Sequence, residues 1–396
     1  MNVSGQDFFL GYERSDGKIG TRNRLLVIAP IDCSIELARK IAEKVEDSVA
    51  VTQTYGCRED SMLISQFVGS AKNPNIAGVL IVGLGCETLT GELLKEKIED
   101  SGKPVHNITI QDEGGTVNTY EKGVNILKKM RMDANNLKRE PFPLNKLTLA
   151  LECGGSDTTS GLAANPALGI AANKLLDAGG TVIFGETQEM IGTQHILAKR
   201  AVNKQVADDI YKIIEDQMAR LKARGIESRW MSKGNIDGGL TTIEEKSLGS
   251  IQKGGTNPIQ GVLYNNWDRF DTPGKPGLYI MDGPSFDVAS VTHLVAAGAQ
   301  IVCFTSGRGS TTGHAIAPVI KITGNSSTYD KLEDNIDINA GSVLDGSESL
   351  NDVGERIFNK IIHTASGEQT KAEIHGLYEF NIYRKNRATE HLLGHC

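Results

Sequence analysis

Short apolar runs alternate with longer amphipathic stretches along most of the chain. Residues 25–29, 49–51, 77–83 and 105–110 are runs of strand length, and residues 34–45, 61–70, 90–99 and 115–132 between them place apolar side chains at helical spacing with charge on the other face. This βαβ rhythm predicts an α/β fold with parallel sheets. Residues 8–135 are expected to form a doubly wound, Rossmann-like domain. Residues 136–146, charged and carrying Pro141 and Pro143, read as a linker. A second, larger mixed α/β domain is expected over 147–396. Its strands are placed at 147–151, 181–184, 277–281, 299–304 and 318–322, with helices at 166–178 and 286–297 and a long amphipathic helix over 191–224. The glycine-rich stretch 233–255 has few periodic apolar positions and reads as a functional loop.

Composition narrows the classes. A chain of 396 residues with net charge -7 and scattered Lys and Arg has no basic stripe to track a phosphate backbone, so nucleic acid is not an expected partner. No apolar run reaches membrane-spanning length. Six cysteines, with no charged-then-apolar leader, fit reduced thiols in a cytoplasmic protein.

Cys57, Cys86 and Cys153 each follow an apolar run and lie beside glycine and an acid, where a strand hands over to a helix. Ligands bind at the carboxyl ends of strands in open α/β sheets, and thiolates from three loops would leave a metal ion one open position. Small thiols also fill strand ends as core residues, which is the reading for Cys303. Cys33 shares the strand-end context, and His395–Cys396 forms a further pair at the chain end. Glu186, Glu189 and His195 follow the strand at 181–184 and could work as acid and base or cap a helix. The segment 305–313 combines hydroxyls, glycine-freed amides and Arg308, an anion-binding pattern suited to a carboxylate. Walker lysine and dinucleotide glycine patterns are absent, which argues against a kinase or a dehydrogenase.

Taken together, these segments resemble the altronate/galactarate dehydratase family over nearly the whole chain. The resemblance is carried by Asp16-Gly17-Lys18-Ile19-Gly20-Thr21-Arg22-Asn23, Tyr55-Gly56-Cys57, Gly85-Cys86-Glu87, Cys153-Gly154-Gly155-Ser156-Asp157, Gly238-Gly239-Leu240, Gly307-Arg308-Gly309 and Pro318-Val319-Ile320-Lys321. It implies a hydro-lyase that removes water from a hexonate or hexarate to give a 2-keto-3-deoxy acid. It also implies Fe2+, with Mn2+ or an iron-sulfur cluster as other forms, held by Cys57, Cys86 and Cys153 or by carboxylates including Glu186. His195 or Lys246 is the expected proton acceptor and Glu189 the acid. Arg308, with Ser156, Asp157, Asn235, Thr305 and His314, is expected to hold the sugar acid. Family members with an additional small N-terminal domain imply a separate small subunit for this chain, and a homo-oligomer is expected. Sulfolactate sulfo-lyase large subunits are the competing branch, and they resemble the chain through 238–246. By resemblance that branch lacks counterparts of Cys57, Cys86 and Arg308. The family's histidine two residues before the tyrosine of Tyr-Gly-Cys is Gln53 here. A non-catalytic sugar-acid-binding subunit is the remaining alternative.

Overall fold

The computed structural model describes residues 7–58, 60–227, 231–266 and 269–383. Four parallel strands, in the order Ser48–Thr52, Arg24–Ala29, Ile76–Gly83, Val105–Thr109, make the first sheet. Both faces are covered. Helices Ile35–Glu43 and Thr116–Ala134 bury Leu37, Ala38, Val124 and Leu127 against one side, and helices Ser61–Lys72 and Gly91–Glu99 bury Phe67 and Leu94 against the other. A sheet buried on two faces needs the continuous apolar strands that the sequence shows.

Residues 136–146 do more than link. Strand Glu140–Pro143 pairs antiparallel with Phe8–Glu13, which also pairs with Ile19–Gly20. Proline is tolerated there because the strand lies on the edge of this small sheet.

The larger sheet has eight strands. Its order is Arg269–Phe270, Ile259–Asn266, Gly277–Asp282, Thr181–Phe184, Thr148–Cys153, Ile301–Thr305, Val319–Thr323, Ile338–Asn339. Every pairing is parallel except that of Arg269–Phe270. The chain leaves Thr148–Cys153 in one direction through Thr181–Phe184 and returns on the other side at Ile301–Thr305. The carboxyl ends of Thr148–Cys153 and Ile301–Thr305 therefore flank a switch point, the usual ligand crevice of such sheets.

The two sheets share an apolar core. Leu26, Ile28 and Phe67 from the first pack with Ala150, Val291, Val302 and Phe304 from the second. Helix Ser61–Lys72 lies so close to helix Asp287–Ala296 that a Cβ on Gly69 would meet Ala296 O at 2.4 Å. Phe67 and Phe304 are fully buried, each worth about 1.5–3 kcal/mol relative to exposure. A buried ion triad adds to the join: Glu373 accepts from Arg22 and from Arg24, each at 2.7 Å.

Two expectations fail locally, and one strand was not foreseen. The helix expected over 191–224 is broken into Gln194–Ala198 and Lys204–Ala223, because Ala201 bridges to Ile259 and Asn203 caps the second helix by accepting from Val206 N. Strand Ile259–Asn266 went unread. The stretch 233–255 is largely helical, with Lys233–Asp237, Ile243–Ser250 and a short turn Ile251–Gly254. Among the described residues no helix is long and apolar enough to cross a membrane.

Candidate active site

The loops that follow strands Thr148–Cys153 and Thr181–Phe184 meet the helix Ile243–Ser250 and its short extension. Together they enclose a dense group of ionisable side chains. Glu186 sits at φ 69°, a left-handed conformation that costs a non-glycine residue on the order of 1–3 kcal/mol and recurs at functional sites. Its carboxylate accepts from Cys153 N at 3.0 Å and from Lys253 Nζ at 2.8 Å, and both charged side chains are 1% exposed. Glu189 accepts from Lys246 Nζ at 2.7 Å and from Ser250 Oγ at 2.9 Å. Lys246 Nζ also reaches Asn235 Oδ1 at 3.1 Å, and Asn235 Nδ2 donates to Ser156 O at 3.0 Å. Cys153 Sγ lies 3.0 Å from Ser156 Oγ and within 3.5 Å of Asn165 Nδ2.

Burial and charge set the protonation states. Burial, then Glu189, pushes Glu186 up to about 8. Burial also acts to raise Glu189, but Lys246 and Lys253 outweigh it and hold that carboxyl below its ordinary range. For Lys246 burial acts downward and is overcome by Glu189, which keeps the ammonium charged. Lys253 is raised in the same way, chiefly by Glu186 against its burial. Burial and nearby Glu189 keep Cys153 a thiol, and burial and Glu186 push Glu152 well above the usual carboxylate range. At neutral pH, then, Glu189 is the ionised partner and Lys246 the protonated one. That differs from the expected assignment, in which His195 or Lys246 took a proton and Glu189 gave one.

Lys246 and Ser250 open onto a cleft of about 320 Å³ that is also lined by Ser156, Asp157 and Asn165. Asp157 is locked in place. It accepts from Thr159, Ser160 and Asn325, and a Cβ on Gly307 would lie 2.1 Å from its carboxyl, so only glycine fits beside it. A larger cleft of about 740 Å³, lined by Lys18, Lys72, Lys146 and Lys275, opens at the amino ends of strands Thr148–Cys153 and Thr181–Phe184 and holds none of the buried cluster. Chemistry is assigned to the smaller one because Lys246 lines it, with Glu189 paired directly behind that lysine.

The anion loop lies beside the loop that carries Ser156 and Asp157. Gly154 N donates to Thr305 O, and Arg308 N donates to Gly155 O, so the Arg308 loop lies against the Ser156 loop. Arg308 is exposed, and among the described residues its guanidinium makes no hydrogen bond or ion pair. The backbone N–H groups of Gly309, Ser310 and Thr311 likewise have no protein acceptor among those residues. Free amides beside a free guanidinium suit an anion.

Not every expected residue joins this group. His195 is exposed on helix Gln194–Ala198, and none of its hydrogen bonds or ion pairs leads to the carboxylates. The Thr305 hydroxyl is committed to Asn165 Oδ1 at 2.6 Å and Glu152 O at 3.2 Å, so it faces protein rather than the cleft. His314 is 2% exposed and turned inward. Its Nδ1 accepts from Ile316 N and Ala317 N, its ring lies against Phe380, and burial reinforced by Arg24 pushes it down to about 3, so it is neutral at physiological pH.

The cysteines divide between the two sheets. Cys153 is buried in the charged group, whereas Cys57 and Cys86 follow strands of the first sheet, where Cys57 O accepts from Thr88 N at 3.0 Å. Among the described residues no three His, Cys, Asp or Glu side chains could hold a metal ion, and His395–Cys396 lies outside those residues. The thiolate set expected for iron, manganese or a cluster therefore does not fit this geometry. Lys253, Ser250, Asn165 and Glu152 were missed. The signal was available for two of them: Lys246, Ser250 and Lys253 recur at helical spacing, as a polar rather than an apolar face.

Comparison with known proteins bears on the same segments. Residues 11–135 match the D-galactarate dehydratase/Altronate hydrolase second domain, and residues 144–388 match the D-galactarate/Altronate dehydratase C-terminal domain. The chain is 35% identical to the (2R)-sulfolactate sulfo-lyase subunit beta of Chromohalobacter salexigens, covering 97% of this chain and 99% of that one. It is 32% identical to the altronate dehydratase of Bacillus subtilis (95% and 77%) and 33% identical to the galactarate dehydratase (L-threo-forming) of Escherichia coli (91% and 73%). Matched by these family models over both of its sheets and aligned with these relatives over 91% to 97% of its length, the chain belongs to the D-galactarate/altronate dehydratase family.

Proposed function

We propose that the chain eliminates water across C2–C3 of a polyhydroxylated 2-hydroxy acid, a hexonate or hexarate, to give a 2-keto-3-deoxy acid. The observation that carries this reading is the Glu189–Lys246 ion pair, 2.7 Å long, whose lysine lines the cleft. Arg308 and the free amides of its loop hold the substrate carboxylate and the negative charge that builds on it as the C2 proton leaves. Glu189, ionised, takes that proton. Lys246, protonated, gives one to the departing 3-hydroxyl, which leaves as water while the C2–C3 double bond forms. The resulting enol relaxes to the keto acid. The pair resets itself: the ionised carboxyl and the protonated ammonium are its favoured states, so the proton returns from Glu189 to Lys246. A pair that begins and ends in one state needs no external acid or base. Retention of this machinery disfavours a purely binding subunit.

A second reading, loss of sulfite from sulfolactate, is favoured by the end-to-end match with the sulfo-lyase subunit beta. Bisulfite is a far weaker base than hydroxide and leaves without Lys246 as acid. That relative's name also supports a partner subunit for this chain. The test is to assay the protein against a panel of aldonates and aldarates for 2-keto acid, with sulfite release from sulfolactate in parallel. Keto acid from a sugar acid supports the proposal, and sulfite alone overturns it in favour of the second reading.

A further inference from the structure

We propose that Lys321 is a positioning residue of this site, whose ammonium grips two carbonyl oxygens of the anion loop and so fixes the loop that presents Arg308. The inference rests on the elimination reading for its kinetic consequences but on geometry for its substance. Lys321 lies on strand Val319–Thr323, next to the strand that delivers the loop, with Phe304 paired against it. The side chain is 2% exposed. Its Nζ donates to Thr311 O at 3.0 Å and to Thr312 O at 2.9 Å. A buried ammonium needs partners, and here both are consecutive carbonyls of one exposed turn. Drawing those oxygens inward keeps them off the surface where Gly309, Ser310 and Thr311 offer their N–H groups.

The rest of the loop is pinned at other points. Ser306 N donates to Ile322 O, Thr328 Oγ1 to Gly307 O at 2.8 Å, and Gly313 N to Glu379 Oε2 at 2.7 Å. Between Arg308 and Gly313, contacts within the turn join Ser310 Oγ to Thr312 Oγ1 and to Thr312 N. Lys321 is thus the side-chain anchor from outside the loop for its outer half. Two carboxyls face it: Asp337, whose Oδ2 accepts from Lys321 N, and Glu379 on the C-terminal segment. Lys360 in turn stands 3.7 Å from Asp337. Burial pushes Lys321 down to about 8 against the pull of both carboxyls, so the grip weakens as pH rises through that value.

The experiment compares Lys321→Met, Lys321→Gln and Lys321→Arg with the wild type by amide hydrogen exchange without ligand and by steady-state kinetics, with galactarate and altronate as probes. In Lys321→Met, exchange at Thr312 and Gly313 is expected to rise about tenfold, and KM about tenfold or more with kcat held within a few-fold, because one charge-assisted anchor is lost. Lys321→Arg is expected to restore both, and to keep KM flat at pH values where the wild type's rises. A merely structural lysine would not split KM from kcat in this way. Unchanged loop exchange and KM in Lys321→Met overturn the inference. If that variant does not fold, an unchanged KM in Lys321→Gln overturns it. If the loop loosens as expected but wild type turns over neither acid, the positioning role stands and the elimination reading falls.

Discussion

Replacing Glu189 by glutamine deletes one charge and little else. The amide keeps the shape of the side chain and can still accept from Ser250, whose hydroxyl lies 2.9 Å away. What it loses is basicity. A positioned general base contributes a factor of about 10² to 10⁴. Glu189→Gln should therefore lower kcat by that factor, or roughly 3–5 kcal/mol of barrier. The structure adds a second signature. In the wild type Lys246 is held above its ordinary value chiefly by Glu189 acting against burial, and Glu189 is held below its own. The pair therefore imposes no ionisation between about pH 5 and pH 10. Without the carboxylate, burial of Lys246 is opposed only by Cys153 and Glu186, and its proton becomes easier to lose. The residual activity should then fall on the alkaline side at a lower pH than in the wild type. The assay is keto-acid production from the best acid of the panel across pH. A kcat within tenfold of wild type, or an unmoved alkaline limb, would refute the reasoning.

Lys253→Met should destabilise the fold by about 3–5 kcal/mol at alkaline pH, because it strands Glu186 in a site where both are 1% exposed. Glu186 already has a raised folded-state value of about 8, so its contribution to stability is present at low pH and is lost as pH rises through 8. Removing Lys253 raises it further, so the loss relative to wild type should grow above pH 8 by up to about 1.4 kcal/mol per pH unit. Urea unfolding at pH 6 and pH 9 checks the sign, and a larger loss at pH 6 is the contrary result. Arg308→Ala should cut kcat/KM by about 10² or more if the guanidinium binds developing charge; an unchanged kcat/KM removes it from the site. Gly307→Ala should cost about 1–3 kcal/mol and raise KM, since its Cβ would lie 2.1 Å from the Asp157 carboxyl. Wild-type melting together with wild-type KM would contradict that packing.

The apolar strands and their helices could be read from period alone, because a sheet covered on both faces leaves unbroken Val, Ile and Leu runs. Polar interiors could not. Lys246, Ser250 and Lys253 occupy successive turns on one side of residues 243–254, and a search for apolar periodicity passes over such a face. Strand Ile259–Asn266 was hidden by its mixed composition, Ile-Gln-Gly-Val-Leu-Tyr-Asn-Asn, between glycine- and asparagine-rich neighbours. His195 was grouped with Glu189 by nearness in sequence, yet Glu189 lies in the turn Thr187–Met190 and His195 on the separate helix Gln194–Ala198, with Gly192 at φ 86° between them. The cysteine argument failed for a different reason. Strand-end context says that a thiol sits at the carboxyl edge of some sheet, and this chain has two such edges. Cys57 and Cys86 share one and Cys153 belongs to the other.

The central claim is that a proton leaves C2 to Glu189 and water leaves C3 with the help of Lys246. It is tested most directly by turnover of a C2-deuterated sugar acid, with the fate of the label followed in the product. The expected result is slower turnover than with the protiated acid and a 2-keto-3-deoxy acid free of the label, with turnover in Glu189→Gln lowered about 10² to 10⁴-fold. Label retained at C3 of the product, or a Glu189→Gln kcat within tenfold of wild type, would contradict it.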